Sequence, residues 1–145
     1  MPVFDVHHAD RLERRICFAL RDVKWETFQF DGTRSQGVYR LYLLFEEWLS
    51  VFDDAGAWFI NEQSPEPRQV VGEGGIQIQW SIHEIEELDP SLKTLLGKRL
   101  MGFGASPDRE DFQLVFEGEA MIALSAGKLA EGGGTDEGFS VTVRA

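Results

Sequence analysis

The sequence predicts an α+β fold, mostly antiparallel β, in which two similar β-hairpin-containing halves are joined by a short helix. The first observation is an internal repeat: Leu41–Gly56 reads LYLLFEEWLSVFDDAG and Phe112–Gly127 reads FQLVFEGEAMIALSAG. Repeats are informative because related segments fold into related units. The second is the strict apolar–polar alternation of Ile76–His83, which is typical of a strand with one buried face. The third is Asp89-Pro90, a helix-start signal.

The first thirty residues are predicted to be mainly extended. Val3–Val6 is expected to form a short strand, and Ala9–Arg15 a helical turn with Asp10 as its N-cap. From Ile16 to Phe30 the chain is rich in β-forming residues, but the parity of the apolar positions changes twice. We therefore expect bulges in this segment, or two strands instead of one.

The repeated segments are predicted to be β-hairpins. A helix over Tyr39–Phe52 is the alternative for the first copy, because its apolar residues also fit a 3.6-residue period. In the second copy the apolar residues alternate along the chain, and Gly118 occupies the break. Glycine favours a turn at this position over a helix interior, so a hairpin is preferred in both copies.

The remaining elements follow from local patterns. Asn61–Arg68 contains two prolines and is predicted to be a loop, followed by an edge strand at Gln69–Val71. The connecting helix is expected over Pro90–Leu96, where Gly97 provides its end. Further strands are predicted at Ala57–Ile60, Lys98–Phe103, Asp111–Glu117, Ala120–Ser125 and Phe139–Val143, with a glycine-rich loop at Glu131–Thr135.

A chain of 145 residues is most simply one domain, 1–145, and the repeat predicts an internal duplication of 12–60 and 96–144. The single cysteine, Cys17, excludes an internal disulfide and fits a reducing compartment. The sequence shows neither a signal peptide nor an apolar run of about 20 residues. We therefore expect a cytoplasmic protein with no membrane partner.

The acidic charge is concentrated in the later part of the chain. Residues 1–40 carry 7 Lys/Arg and 6 Asp/Glu, whereas residues 41–145 carry 7 and 19, and the net charge is −11. Such a surface repels a phosphate backbone, so nucleic-acid binding is not expected. The same field would accelerate encounter with a basic protein, which is the partner class that the charge favours. The alternative is that the acids only keep the protein in solution.

Two acidic clusters are the candidate binding residues for a basic partner. Charge runs at turns are usually solvated, and acids near a helix start are favoured by the helix dipole, so a structural role is the alternative. Glu46 and Glu117 occupy equivalent repeat positions, and we expect them to pair with Arg15 or Arg99. The first patch is Glu84, Glu86, Glu87 and Asp89, and the second is Glu46, Glu47, Asp53 and Asp54.

The polar face of the alternating strand is a second candidate site. Gln77, Gln79 and His83 share that face with Ser81, and it is rich in amides and uncharged. Beside aromatic residues, such a face could line the pocket of a small-molecule-binding β-cup or barrel. A filled interior with an exposed acidic surface would favour protein binding instead.

Neither catalytic residues nor a metal-ligand set is predicted. His7 and His8 have the chemistry of metal ligands, but adjacent strand residues point to opposite faces. Cys17 lies near two arginines, yet its apolar neighbours favour a half-buried strand position over a nucleophile. Recognised catalytic and phosphate-binding motifs are missing from the sequence, so no cofactor is expected and a binding function is favoured over an enzymatic one.

The predicted function is non-catalytic binding of a basic protein by an acidic interaction module, of which an immunity-type inhibitor is one form. The alternative is a small-molecule-binding β-cup or barrel. A third hypothesis is an enzyme of unrecognised type, which would require a cleft that brings His83, or His7 and His8, against Glu46, Asp53 or Cys17. A fourth is a structural subunit that forms a homodimer through an unpaired strand edge at Val3–Val6 or Phe139–Val143.

Overall fold

Two β-sheets face each other across one hydrophobic core. The computed structural model describes residues 6–34, 37–54, 57–105, 111–125 and 139–144. Within this part of the chain, one sheet has eight strands and the other has four. The buried apolar residues of both sheets form a single cluster. The prediction of a mostly antiparallel β-structure with few helices is confirmed.

The large sheet is formed by the first part of the chain. Its strand order is β1-β6-β5-β4-β2-β8-β7, and β3 pairs with β2 beside this path. Among the described strand pairs of this sheet, only β1 and β6 run parallel. The strands are β1 (Val6–His7), β2 (Asp22–Phe30), β3 (Thr33–Arg34), β4 (Arg40–Leu44), β5 (Trp48–Asp54), β6 (Ala57–Asn61), β7 (Arg68–Val71) and β8 (Gln77–Glu84).

The small sheet is an antiparallel meander with the order β12-β11-β10-β9. Single backbone bridges tie it to the large sheet at two places, Ala19 with Arg99 and Val38 with Phe139. The outer strands of the small sheet are thus anchored next to β2 and β4, the central strands of the large sheet. Its strands are β9 (Leu100–Ala105), β10 (Asp111–Phe116), β11 (Met121–Ser125) and β12 (Ser140–Arg144).

Helical structure is short and mostly of the 3₁₀ type. The helix α1 spans Ala9–Glu13, but its N-cap is His8, with φ 65°, and the prediction of Asp10 as N-cap is wrong. The predicted connecting helix is a 3₁₀ segment over Pro90–Leu95, and Asp89 caps it by accepting a hydrogen bond from the Ser91 amide at 2.9 Å. Other 3₁₀ segments are Glu73–Gly75, Ile85–Glu87 and Glu117–Glu119.

Both predicted hairpins are present. β4 pairs antiparallel with β5, and β10 pairs antiparallel with β11, so the alternative helix over 39–52 is wrong. Gly118 lies in the second turn with φ 72°, the left-handed conformation that glycine adopts without strain. The two hairpins belong to different sheets. The division of the chain into two similar halves stays a prediction.

The predicted bulges between Ile16 and Phe30 are wrong for the part that forms β2. This strand pairs with both β4 and β8 in one continuous register. The apolar parity changes because apolar residues occupy both faces. Trp25 points into the core, whereas Phe28 lies on the outer face, where its ring stacks on Tyr39 at 5.3 Å and contacts Trp80 at 5.5 Å.

The core between the sheets is organised around Trp58 of β6. Its ring stacks on Phe112 of the small sheet at 5.8 Å and meets Phe139 edge-on at 5.2 Å. All three side chains are buried. Aromatic pairs in these geometries contribute about 0.5–1.5 kcal/mol beyond the burial of their area, so this contact is a main link between the sheets.

The loop at 62–67 crosses the outer face of the large sheet. It joins β6 to β7, which are five strand spacings apart, or about 24 Å at 4.8 Å per spacing. Seven Cα steps span about 23–25 Å when fully extended, so the crossing segment is nearly straight. Gln63 accepts a hydrogen bond from Ser50 Oγ at 3.1 Å, and Ser50 faces away from the core, between Leu49 and Val51. Pro65 and Pro67 suit this extended path.

Some predicted features lie partly or wholly outside the described residues. These are Val3–Asp5 of the first predicted strand, of which Val6 belongs to β1, and the glycine-rich loop at Glu131–Thr135. The predicted strands at Gln69–Val71 and Phe139–Val143 are confirmed by β7 and β12. Within the described residues, every helix is too short and too polar to traverse a bilayer.

Replacing Trp58 by alanine should lower the free energy of unfolding by about 3–5 kcal/mol, because it removes a large side chain that both sheets contact. Denaturant-induced unfolding measures this change. The matched control is Met101→Ala, since Met101 is 53% exposed on β9 and its truncation should cost less than about 1 kcal/mol. Equal losses for the two variants would contradict the role of Trp58 as the link between the sheets.

Candidate functional site

Each member of the first acidic patch already has a partner within the described residues. Glu84 accepts two hydrogen bonds from Lys24 Nζ at 2.8 and 2.9 Å, and Glu86 lies 2.8 Å from Lys93 Nζ. The other two members, Glu87 and Asp89, contact His83 Nδ1 at 3.3 Å and the Ser91 amide at 2.9 Å.

These contacts reduce the charge that the first patch can offer to a partner. The hydrogen bond from Lys93 lowers the pKa of Glu86, and the hydrogen bond to Glu84 raises the pKa of Lys24. Both effects stabilise the charged forms, so two of the four acids are neutralised locally by lysines over the ordinary pH range. A docking partner would have to compete with these lysines.

The second acidic patch is divided between the two ends of β5. Glu46 and Glu47 form the turn that precedes the strand, and both are exposed. Asp53 lies near the other end, six residues from Glu47 or about 20 Å along an extended strand, and it is half-buried. The side chain of Asp54 lies outside the described part of the structure. Among the described side chains of this patch, Glu46 and Glu47 therefore lie together and Asp53 lies apart from them.

A pocket of about 450 Å³ lies beside this turn. The hairpin turn provides one wall and the start of the crossing loop provides the other. Glu62 of that loop joins the two predicted acids, and half-buried Trp48 lines the same pocket. We call this the acidic pocket, and its lining residues are Leu44, Glu46, Glu47, Trp48, Glu62, Gln63 and Ser64.

Arginines of the first helical segment hold two of the three carboxylates in place. Arg15, whose side chain is largely buried, lies 3.7 Å from Glu47 and 3.6 Å from Glu62. Arg11 and Arg14 each lie 3.8 Å from Glu62. Within the described residues, Glu46 forms no ion pair. Glu46 is therefore the pocket carboxylate whose charge is free for a ligand.

The predicted pairing of Glu46 and Glu117 with arginines is wrong in the first copy of the repeat and partly correct in the second. In the first copy Glu47, not Glu46, contacts Arg15. In the second copy Glu117 does meet Arg99, but it accepts a hydrogen bond from the backbone amide at 2.8 Å and not from the guanidinium. The turn geometry decides this, because a slip of one residue directs a side chain to the opposite side of a hairpin.

The three predicted pocket residues lie on one face of β8, but they do not line a common cavity in the described structure. Gln77 and Gln79 are exposed. Gln79 lies opposite Gln29 of β2 and Gln69 of β7, which forms an open row of three amides in register. Only His83 is held in packed surroundings, with its ring 4.5 Å from that of Trp25.

His83 bridges a hydroxyl and a carboxylate. Its Nε2 lies 2.8 Å from Thr27 Oγ1, and its Nδ1 lies 3.3 Å from Glu87. The hydroxyl, imidazole and carboxylate follow one another in the order found in catalytic triads, where they act as nucleophile, base and orienting acid. However, Thr27 is only 1% exposed and belongs to a central strand, so its hydroxyl cannot reach a substrate. This chain of contacts positions the edge of β8 against β2.

A buried ionic cluster lies on the outer face of the large sheet. Glu26 is fully buried, accepts a hydrogen bond from Tyr42 Oη at 2.9 Å and lies 3.7 Å from the Arg40 guanidinium. That guanidinium also lies 4.6 Å above the ring of Phe52. Burial raises the pKa of Glu26, against the opposing effects of Arg40 and Tyr42, and it raises the pKa of Tyr42 to about 12.

The residues with metal-ligand or nucleophile chemistry are dispersed. His7 stacks on Phe59 at 4.5 Å, and the described residues contain no group of three His, Cys, Asp or Glu side chains that could hold a metal ion. The predicted half-buried position of Cys17 is wrong. This residue is exposed with φ 78°, in the turn where its amide donates to the Leu100 carbonyl at 2.7 Å.

Sequence reasoning missed Glu62 and Trp48 as site residues. Both are separated from the arginines of α1 by more than thirty residues, and only the crossing loop brings Glu62 to them. The available signal was the group of arginines at 11–15, because guanidinium groups that become partly buried pair with carboxylates, and this chain is rich in acids. No protein-family model, no curated protein and no solved structure matches the chain.

The ionisation of Glu26 should make the stability of the protein depend on pH. Because its pKa in the folded state is raised above the usual 4.5, the native state keeps a proton that the unfolded state releases. The stabilisation is complete below pH 4.5 and is lost as pH rises through the folded-state pKa. A tenfold difference in proton affinity between the folded and unfolded states corresponds to about 1.4 kcal/mol of unfolding free energy.

Glu26→Gln should therefore gain stability relative to the wild type as pH rises from about 4 to about 7. Denaturant unfolding at both pH values measures the difference between the two proteins. Glu119→Gln is the control, because it makes the same substitution at an exposed site. A difference for Glu26→Gln that does not change with pH would show that its pKa is not raised.

Proposed function

We propose that the protein is a non-catalytic binding module that recognises a basic protein partner through the acidic pocket. The observation that carries the proposal is that three carboxylates and an indole, those of Glu46, Glu47, Glu62 and Trp48, line one open pocket. Carboxylates beside an aromatic face form the chemical environment that receives a lysine or arginine side chain.

Each wall of the pocket would make a different contribution. Glu46 supplies the uncompensated charge, and Arg15 fixes the orientations of Glu47 and Glu62, which lowers the entropy lost on binding. Trp48 offers an indole face, for which a cation–π contact is worth about 0.5–2 kcal/mol depending on desolvation. A guanidinium fits this arrangement well because its planar fork donates to carboxylates while its face stacks on an aromatic ring.

The charge of the whole molecule supports the same partner class. A net charge of −11 creates a field that accelerates the approach of a basic protein and repels acidic ones. An immunity-type inhibitor that masks a basic toxin is one protein class with these properties. The exposed free thiol of Cys17 is compatible with the reducing cytoplasm, and we place the binding reaction there.

A small organic cation is the second candidate ligand, and it replaces the expected β-cup as the small-molecule hypothesis. The volume of about 450 Å³ falls within the range of about 300–1,000 Å³ that is usual for small-molecule sites. Agmatine, which carries a guanidinium and a primary amine, is a suitable probe of this alternative.

Binding of a short arginine-rich peptide should move the indole N–H resonance of Trp48 in a nuclear magnetic resonance titration and leave that of buried Trp58 unchanged. Glu46→Lys should raise the dissociation constant at least about tenfold. The matched control is Glu119→Lys, which makes the same charge change at the turn of the second hairpin and should raise it much less. Equal effects of the two variants would mean that only net charge matters and would overturn the pocket.

Agmatine that binds as tightly as the peptide would favour the small-molecule alternative.

Capture from a cell lysate should identify the natural partner. We expect a basic protein that the wild type retains at about 0.05 M salt and releases at about 0.5 M, because shorter screening lengths weaken exposed charge contacts. Glu119→Lys should still capture this protein, and Glu46→Lys should not. A partner that both variants retain equally would contradict binding through the acidic pocket.

We also propose that the chain arose by duplication of a four-stranded meander, 12–60 and 96–144. Support comes from strand order, since β6-β5-β4-β2 and β12-β11-β10-β9 follow the same path. Equivalent hairpin positions are buried in both copies. These are Leu41, Leu43, Phe45, Leu49 and Val51 in the first copy, and Phe112, Leu114, Phe116, Ala120 and Ile122 in the second.

A further inference from the structure

β7 is an edge strand whose outward side has no partner among the described residues. All four of its residues are exposed, and β8 pairs with only one side of it. Alternate residues of an edge strand point their backbone N–H and C=O groups away from the sheet, where they can pair with another strand. Its exposed side chains include Val70, at 48%, and Val71, at 65%.

An apolar row leads to this edge across the outer face of the large sheet. Phe30 of β2 lies opposite Ile78 of β8, and Ile78 lies opposite Val70 of β7. Phe30 is 48% exposed, so the row is not covered by the crossing loop. In the adjacent row, the guanidinium of Arg68 lies 4.3 Å above the ring of Trp80. The row of Phe30, Ile78 and Val70 thus stops at the sheet edge with its apolar surface in water.

We propose that two copies of this chain form a symmetric dimer in which β7 pairs antiparallel with β7 of the second copy, with Val70 opposite Val70. Directly opposed residues of an antiparallel pair lie on the same face. The row of Phe30, Ile78 and Val70 then continues into the same row of the second copy in reverse order. The result is one continuous sheet in which both apolar rows are partly removed from water.

The charges near the edge are complementary in this register. Pairing Val70 with Val70 places Arg68 opposite Gly72 of the second copy, directly beside its Glu73. Glu73 is exposed, and within the described residues neither Glu73 nor Arg68 has an ion pair within 4.0 Å, although the charge of Arg68 acts on Glu26 over a longer distance and favours its ionised form. The two-fold axis creates this Arg68–Glu73 contact twice. A second copy therefore satisfies both the backbone edge and the flanking charges, as an isologous interface requires.

The net charge determines how salt affects such a dimer. Each copy carries −11, so the two copies repel each other at low ionic strength. Salt screens this repulsion and also weakens the two exposed Arg68–Glu73 pairs, which contribute little, whereas it strengthens or leaves unchanged the apolar contact along the rows. Dimerisation should therefore increase with salt, in the opposite direction to the binding of a basic partner in the acidic pocket. The two proposals can thus fail independently.

Sedimentation equilibrium of the full chain tests the dimer over protein concentrations from about 10 μM to about 1 mM, at about 0.05 and about 0.5 M salt. The average mass should rise from monomer towards dimer with concentration, and more steeply at the higher salt. Val70→Lys should raise the dissociation constant at least about tenfold, because it places like charges directly opposite each other at the axis. The matched control Val115→Lys, at an exposed site on β10, should leave it unchanged.

A charge exchange tests the register itself. Arg68→Glu and Glu73→Arg should each weaken the dimer, and the double variant should restore it. Circular dichroism and the thermal midpoint verify that each variant is folded. A protein that stays monomeric throughout the concentration range overturns the proposal. This result is expected if β7 pairs with a strand of a different protein. The interface would also be overturned if Val70→Lys dimerised with the same dissociation constant as the wild type. The same would hold if the double variant failed to restore dimerisation.

Discussion

The packing of Trp58 between the two sheets is the contact on which the rest of the structure depends. A sheet has two faces and must bury one of them, and here the inner faces bury each other through Trp58, Phe112 and Phe139. Backbone bridges at Ala19 and Val38 fix the outer strands of the small sheet beside β2 and β4. Because the inner face of the large sheet packs against the small sheet, the loop that joins β6 to β7 and the buried ionic cluster lie on its outer face.

The crossing loop is the consequence that matters most for the proposed site. Because β6 and β7 lie far apart in the strand order, the loop has to run over the outer face, and it covers part of a surface that would otherwise be in water. Glu26 and Tyr42 are buried on this same outer face, away from the core between the sheets. The same loop brings Glu62 to Arg11, Arg14 and Arg15, in and just after α1, and the acidic pocket forms where the loop begins. The site is therefore a product of topology and not of one local motif.

Local patterns were sufficient for elements whose physics is local. The alternation in Gln77–Glu84, the glycine at 118 and the two prolines before β7 each act on their own segment, and the strand, turn and edge that they predicted are present. The predictions failed where a tertiary contact changes the local preference. β2 shows no bulge because Tyr39 and Trp80 cover its outward Phe28, and Pro90–Leu95 closes as a 3₁₀ segment although its cap residues suit an α-helix.

The sequence alone determined the antiparallel hairpins, the acidic character and the short edge strand, because periodicity, charge and turn chemistry are properties of neighbouring residues. It could identify acids but could not say which of them share a surface. Glu46 and Asp53 are close in sequence and lie at opposite ends of β5, whereas Glu47 and Glu62 meet around Arg15. Only the tertiary structure decided this, because the direction of an extended strand separates neighbours by about 3.3 Å per residue while a crossing connection brings distant segments together.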